Sequence, residues 1–168
     1  IKLCNAQRLR LPLVAVSDLS DIYPEAVVAS SQALGWQNIR AVEMCHELTE
    51  WAMPPLENYC IIIQLGAPVN VSARIGGHSY DRRVQTGEIA IIPAGLPSEW
   101  RRKDAVGNDT LHLYLHPHFV RTTAASLDLD HGQISIGPHF GVMDEQTHRI
   151  GMSLLCELKE ANVLGRLY

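Results

Sequence analysis

The chain has 168 residues, a formal net charge of −4, 46% hydrophobic and 19% charged residues, a balance that excludes a disordered segment and leaves room for one core with a small helical appendage. No run approaches the roughly 20 apolar residues of a membrane helix, and the N-terminus lacks a signal-peptide pattern, so a cytoplasmic location is expected. Basic residues are scattered apart from Arg101-Arg102-Lys103, which argues against a nucleic-acid surface on this segment, because neutralising phosphates supplies most of that affinity.

In chain order, the first twenty or so residues show no deciding period. Ala26 to Ser31 and Trp36 to Met44 then predict two strands. Tyr59 to Leu65 is a third, closed by Gly66-Ala67-Pro68. Val69, Val71, Ala73 and Ile75 alternate with Asn70, Ser72 and Arg74, the period of a half-buried strand. Gly76-Gly77 suits a two-residue hairpin, since glycine takes the positive φ of the primed turns, and His78 to Val84 returns as the partner. Gln85-Thr86-Gly87 turns into Ile89 to Ile92, Pro93-Ala94-Gly95 ends that strand, and Glu99 to Lys103 follows. The last strand runs from Thr110 to His116, with Leu111, Leu113 and Leu115 on one face and His112, Tyr114 and His116 on the other. The leucines are expected to face the core and the histidines to lie at the surface or at caps. The whole predicts a mainly β fold of about eight antiparallel strands.

Beyond Pro117 the period becomes helical. Pro117 suits a first helical turn, and Phe119, Val120 and Ala124 form a short amphipathic stretch. A second helix starts from Asp144 as N-cap with Glu145 in its first turn; Thr147, Ile150, Leu154 and Leu158 repeat at three- and four-residue spacing, and Asn162 to Gly165 marks its end. Its apolar stripe suits packing on the chain's own barrel or on a second copy. Cys4, Cys45, Cys60 and Cys156 form no C-x-x-C pair and are expected to be buried, reduced thiols.

The string Gly87-Glu88-Ile89-Ala90-Ile91-Ile92-Pro93-Ala94-Gly95-Leu96-Pro97-Ser98 resembles the second cupin motif, a glycine, five residues, Pro-x-Gly, two residues and then a histidine. The resemblance implies a cupin-like jelly-roll barrel. Ser98 stands in the histidine's place, and nothing between Cys45 and Tyr80 has the His-x-His and Glu form that supplies the other ligands of metal-dependent cupins. No metal site and no other cofactor is therefore expected. His112 and His116 would lie about 13 Å apart in an extended strand at ~3.3 Å per residue, too far to share one ion unless Pro117 bends the chain toward His118. A G-x-S-x-G elbow, a P-loop and an activated cysteine are all missing from the sequence, so catalysis is not expected.

Ser30-Ser31 with Gly35-Trp36, the Gly87 to Gly95 motif with Pro97 and Trp100, the alternating leucines ending at Pro117, and the Asp144 helix with Leu154, Leu155, Glu157 and Leu158 together resemble the N-terminal half of AraC-type transcription regulators. The resemblance implies a cupin-like β-barrel effector-binding domain over residues 1–116 and a helical dimerisation tail over 117–168, with a DNA-binding helix-turn-helix domain beyond residue 168. Homodimerisation through Ile150, Leu154 and Leu158 is expected, with DNA reached only through that further domain, and with a small-molecule effector of unknown identity.

Ser98, Trp100 and Arg102 share one strand face, which the cupin resemblance makes the barrel interior. An indole beside a hydroxyl and a guanidinium would suit an aromatic or carboxylated molecule. Tyr80 and Arg82, with His78, form a polar row that would line the barrel mouth or face solvent. Two other readings stay open: a free-standing cupin-type enzyme or sugar-binding protein, and a barrel that binds nothing and serves dimerisation alone.

Overall fold

The computed structural model describes residues 16–104, 107–129 and 136–164, with 161–164 described as helix only. Ten strands form among these residues: β1 (Val27–Ser30), β2 (Ile39–His46), β3 (Glu50–Met53), β4 (Tyr59–Gln64), β5 (Val69–Ile75), β6 (His78–Val84), β7 (Ile89–Ile92), β8 (Ser98–Arg102), β9 (Asn108–Leu115) and β10 (His139–Val142). Two α-helices accompany them among the described residues, α1 (Pro117–Ser126) and α2 (Glu145–Leu164).

All strand pairs are antiparallel and make two sheets. One has the order β1-β2-β9-β4-β7-β10 and the other β3-β8-β5-β6. Strands β2 to β9 thus fall into the two sheets in the order of two nested Greek keys, with β5 and β6 as a hairpin, the eight-stranded jelly roll of cupins. β1 and β10 extend the first sheet at its two edges. The eight expected strands include β1 but miss β3 and β10, each only four residues long and without a sustained alternation. Beyond Pro117 the chain is accordingly not all helix, because residues 139–142 return to the barrel and pair with β7.

Two cores result. The first lies between the sheets and includes Val42, Met44, Met53, Cys60, Val71, Ala73, Ile75 and Ile92. The second lies on the outer face of the six-stranded sheet, where Ala41, Ile63, Leu111 and Leu113 meet Leu158 of α2. Each buried leucine there contributes about 2 kcal/mol of transfer free energy. Glycine at 151 favours this: a Cβ there would run into the terminal methyl of Ile63, which would have to move for the helix to lie as close. Asp144 accepts a 2.7 Å bond from the Thr147 N–H and caps α2 as expected, and Lys159 pairs with Glu43 of β2 at 2.8 Å.

The leucine face of β9 therefore packs in the outer core under α2, and the expectation of peripheral histidines fails for His112, which points between the sheets and is fully buried. Period two separates the faces of a strand but does not say which is interior when a helix covers the other. His116 does cap α1, accepting from the His118 N–H at 3.1 Å. The thiols also differ from expectation: Cys60 is buried, Cys45 half-buried and Cys156 exposed, all three free; Cys4 lies outside the described residues.

Candidate ligand-binding site

Between the sheets lies a cavity of about 40 Å³. Its apolar wall is aromatic, and cross-strand register builds it. Trp51 of β3 sits opposite Trp100 of β8, Trp100 opposite Ala73 of β5, and Ala73 opposite Tyr80 of β6. The two indoles are parallel within 5°, centroids 5.9 Å apart. Ala73 leaves a gap in that row, and Phe140 reaches across from β10 toward it, 5.7 Å from Trp100 and 5.2 Å from Tyr80. The Tyr80 hydroxyl donates to the Pro138 carbonyl at 3.3 Å, tying β6 to the segment before β10.

The polar wall comes from the ends of β2, β4 and β9. Asn108, Thr110 and His112 project inward from β9, joined by Gln64 of β4 and His46 of β2. Gln64 donates to Asn108 Oδ1 at 2.7 Å and to the Ala67 carbonyl at 3.1 Å. His112 is held at both nitrogens, 3.3 Å from the Tyr114 hydroxyl at Nδ1 and 3.0 Å from Thr110 Oγ1 at Nε2. Since the Leu19 N–H donates to the Tyr114 oxygen at 3.2 Å, the Tyr114 proton is free to go to Nδ1. That assignment leaves Nε2–H donating to Thr110 and the Thr110 proton available to a partner.

His46 differs. It is 2% exposed, its ring is parallel to Trp51 within 6° at 5.3 Å, and His112 stands 5.8 Å away. Neither of its nitrogens has a hydrogen-bond partner among the described residues. A buried polar group left unpaired costs about 1–3 kcal/mol, which is why such groups mark sites that water or a ligand completes. Burial, with the Arg102 cation adding to it, pushes the His46 pKa down to about 4. Burial likewise holds His112 well below the usual imidazole range. Both rings are neutral at physiological pH, each with one donor and one acceptor.

The sequence-predicted residues divide. Trp100 lines the cavity. Ser98 is buried, but its oxygen accepts from Trp100 Nε1 at 2.8 Å, so it orients the indole. Arg102 is buried too, yet its guanidinium is taken up by the carbonyls of His46, Glu47 and Asp104 at 2.7–3.0 Å, a clamp on the β2–β3 turn in place of the free cation expected for a carboxylate. Tyr80 and Arg82 do not line the cavity themselves: Tyr80 packs on Phe140 and Arg82 pairs with Glu88 at 2.8 Å. Gly141 of β10 has φ +64°, a backbone conformation that favours glycine, and a Cβ there would push the overlying Arg82 guanidinium aside. In α2, Leu158 is 2% exposed against the chain's own sheet and Leu154 is half-buried there, whereas Ile150 is 53% exposed. His46, Trp51, Gln64, Asn108 and Phe140 escaped sequence reasoning; Trp51 and Phe140 lie on the two missed strands.

Many cupins carry a metal, and the residues here do not fit one. The interior offers two imidazoles, of which His112 is engaged at both nitrogens. Glu88 is occupied by Arg82 and by the Gln85 N–H. Among the described residues no three His, Cys, Asp or Glu side chains converge.

No family profile and no curated protein matches the chain. Among solved structures it is similar to the plu4264 protein of Photorhabdus luminescens, with 13% identity and TM-score 0.43, over 70% of this chain and 99% of that one. It is also similar to the Cnp3 cupin domain of Schizosaccharomyces pombe, with 9% identity and TM-score 0.42, over 56% of this chain and 65% of that one. A mutant of Bacillus subtilis oxalate decarboxylase OxdC aligns at 16% identity and TM-score 0.39, over 58% of this chain and 30% of the decarboxylase. The cupin-like assignment rests on the strand order itself. No helix among the described residues is long and apolar enough to cross a membrane.

Proposed function

We propose that this barrel is the effector-sensing half of an AraC-type transcription regulator, holding a small molecule between its sheets without transforming it. The observation that carries the ligand-binding reading is His46: a buried, neutral imidazole with both nitrogens unpartnered, facing a cavity walled by two tryptophans. A bound molecule would complete its hydrogen bonds, and Thr110 offers a further hydroxyl. The AraC-type assignment rests on the sequence resemblance. The cavity also touches the element that would report occupancy, because Phe140 and Gly141 belong to β10, which runs through Met143 and Asp144 directly into α2. Ligand binding that shifts β10 would move the start of α2, and with it a dimer contact and a DNA-binding domain beyond residue 168 in the cytosol. The exposed flank of α2 around Ile150 is the surface for a second copy, with Leu154 and Leu158 supporting it from beneath.

Native mass spectrometry of the purified protein tests this. A metal-free dimer carrying an organic mass is the expected result. One stoichiometric Zn, Fe or Mn ion per chain would transfer the argument to a cupin-type enzyme, and a bare monomer with an empty or water-filled barrel would remove the sensor reading.

A further inference from the structure

The cavity of about 40 Å³ is small beside the roughly 150 Å³ of a dry cavity that accepts benzene. Its walls are nonetheless laid out for a larger guest. Two parallel indoles stack on one another, Ala73 interrupts the aromatic row beside them, and the ring over that interruption belongs to a short strand at the sheet edge. β10 is four residues long, lies at a sheet edge, and pairs only with β7 through three register positions with an irregularity after Phe140.

We propose that Phe140 occupies, in the free protein, part of the berth of an uncharged planar aromatic ligand, which displaces the Phe140 ring from Trp100 and hydrogen-bonds to His46. This rests on the ligand-binding reading above and narrows it. Planarity follows from the parallel faces of Trp51 and Trp100 and from the ring that already fills the adjoining space. The absence of charge follows from the side chains that would have to compensate it. Each nitrogen of Arg102 is already bonded to a carbonyl, Glu88 is closed off by Arg82 and the Gln85 N–H, and the two interior imidazoles are neutral. An ion in this space would lose its hydration without a charged side chain free to bond it directly. The polar edge follows from His46, which lacks one acceptor and one donor partner.

The test uses the whole chain and a matched pair of probes, indole and indole-3-carboxylate, titrated by calorimetry into wild type, Phe140→Ala and Phe140→Leu. Removing an internal competitor tightens binding, because the open state no longer has to be populated against Phe140. Indole is expected to bind wild type, and to bind Phe140→Ala about tenfold more tightly. Phe140→Leu should move in the same direction by less, and it preserves the readout if the alanine variant fails to fold by circular dichroism. Weaker indole binding in the folded variants would make Phe140 a wall of the site and overturn the displacement. Indole-3-carboxylate binding as tightly as indole would overturn the uncharged class while the ligand-binding reading stands. No binding of either probe, beside a different co-purified organic mass, would overturn this inference alone; no binding and no co-purified mass would overturn both.

Discussion

The two faces of the six-stranded sheet are built from the same strands and obey different rules. On the outer face Ala41, Ile63, Leu111 and Leu113 are sealed by α2, with Gly151 letting the helix lie close. On the inner face the alternate residues of β9 are Asn108, Thr110, His112 and Tyr114, and they meet His46 and Gln64 around a cavity. A dry apolar layer contributes stability in proportion to area and demands little geometry. A polar interior contributes only if its partners are complete, and His46 leaves it incomplete. The outer face holds the fold, and the inner face keeps capacity for something else.

The largest expected effect lies on the outer face. Leu111→Ala should destabilise by about 2–5 kcal/mol, since a fully buried leucine is replaced by a cavity under α2 that the sheet cannot collapse to fill. Urea unfolding checks it, and a loss well under ~1 kcal/mol would mean that α2 does not stay on the sheet in solution.

The inner face should reveal itself through pH. His46 titrates at about 4 in the folded chain and near ~6.5 unfolded. Above pH ~6.5 both states are neutral and the stability is intact. As pH falls toward about 4 the unfolded chain binds a proton that the folded chain refuses, and this group alone removes up to ~3 kcal/mol. His112 shifts in the same direction and adds to the loss. Comparing urea midpoints near pH ~7 and ~4.5, His46→Phe should show a clearly smaller drop than wild type, and an equal drop would assign the acid sensitivity to other groups.

The smallest effect belongs to the joint between the two regions. Asp144→Ala removes the cap where β10 passes into α2 and should cost about 1 kcal/mol. Hydrogen exchange would locate that loss in the first turn of α2. Protection lost in β10 as well would mean that the strand and the helix open as one unit, which is the coupling an occupied cavity would use.

Much of this was legible before folding. Alternation in Val69 to Ile75, the Gly76-Gly77 hairpin, the Gly87 to Gly95 motif and the Asp144 cap each write a local preference that the tertiary structure keeps. Period two placed Ser98, Trp100 and Arg102 together inside the barrel, and all three are buried. Their roles were not legible. Whether a guanidinium is free or spent depends on carbonyls 55 residues away, at Glu47, and 56 away, at His46.

By itself, then, the sequence determined the strands with a sustained period, the turns whose glycines their backbone needs, and the start of α2. Only the tertiary structure decided which face of β9 is interior, that four-residue β3 and β10 exist, and that His46 sits unpartnered beside Trp51. The physical reason is range. Periodicity and capping act over a few residues, whereas burial, cross-strand partners and the completeness of a hydrogen-bond set arise from segments brought together by two sheets and a covering helix.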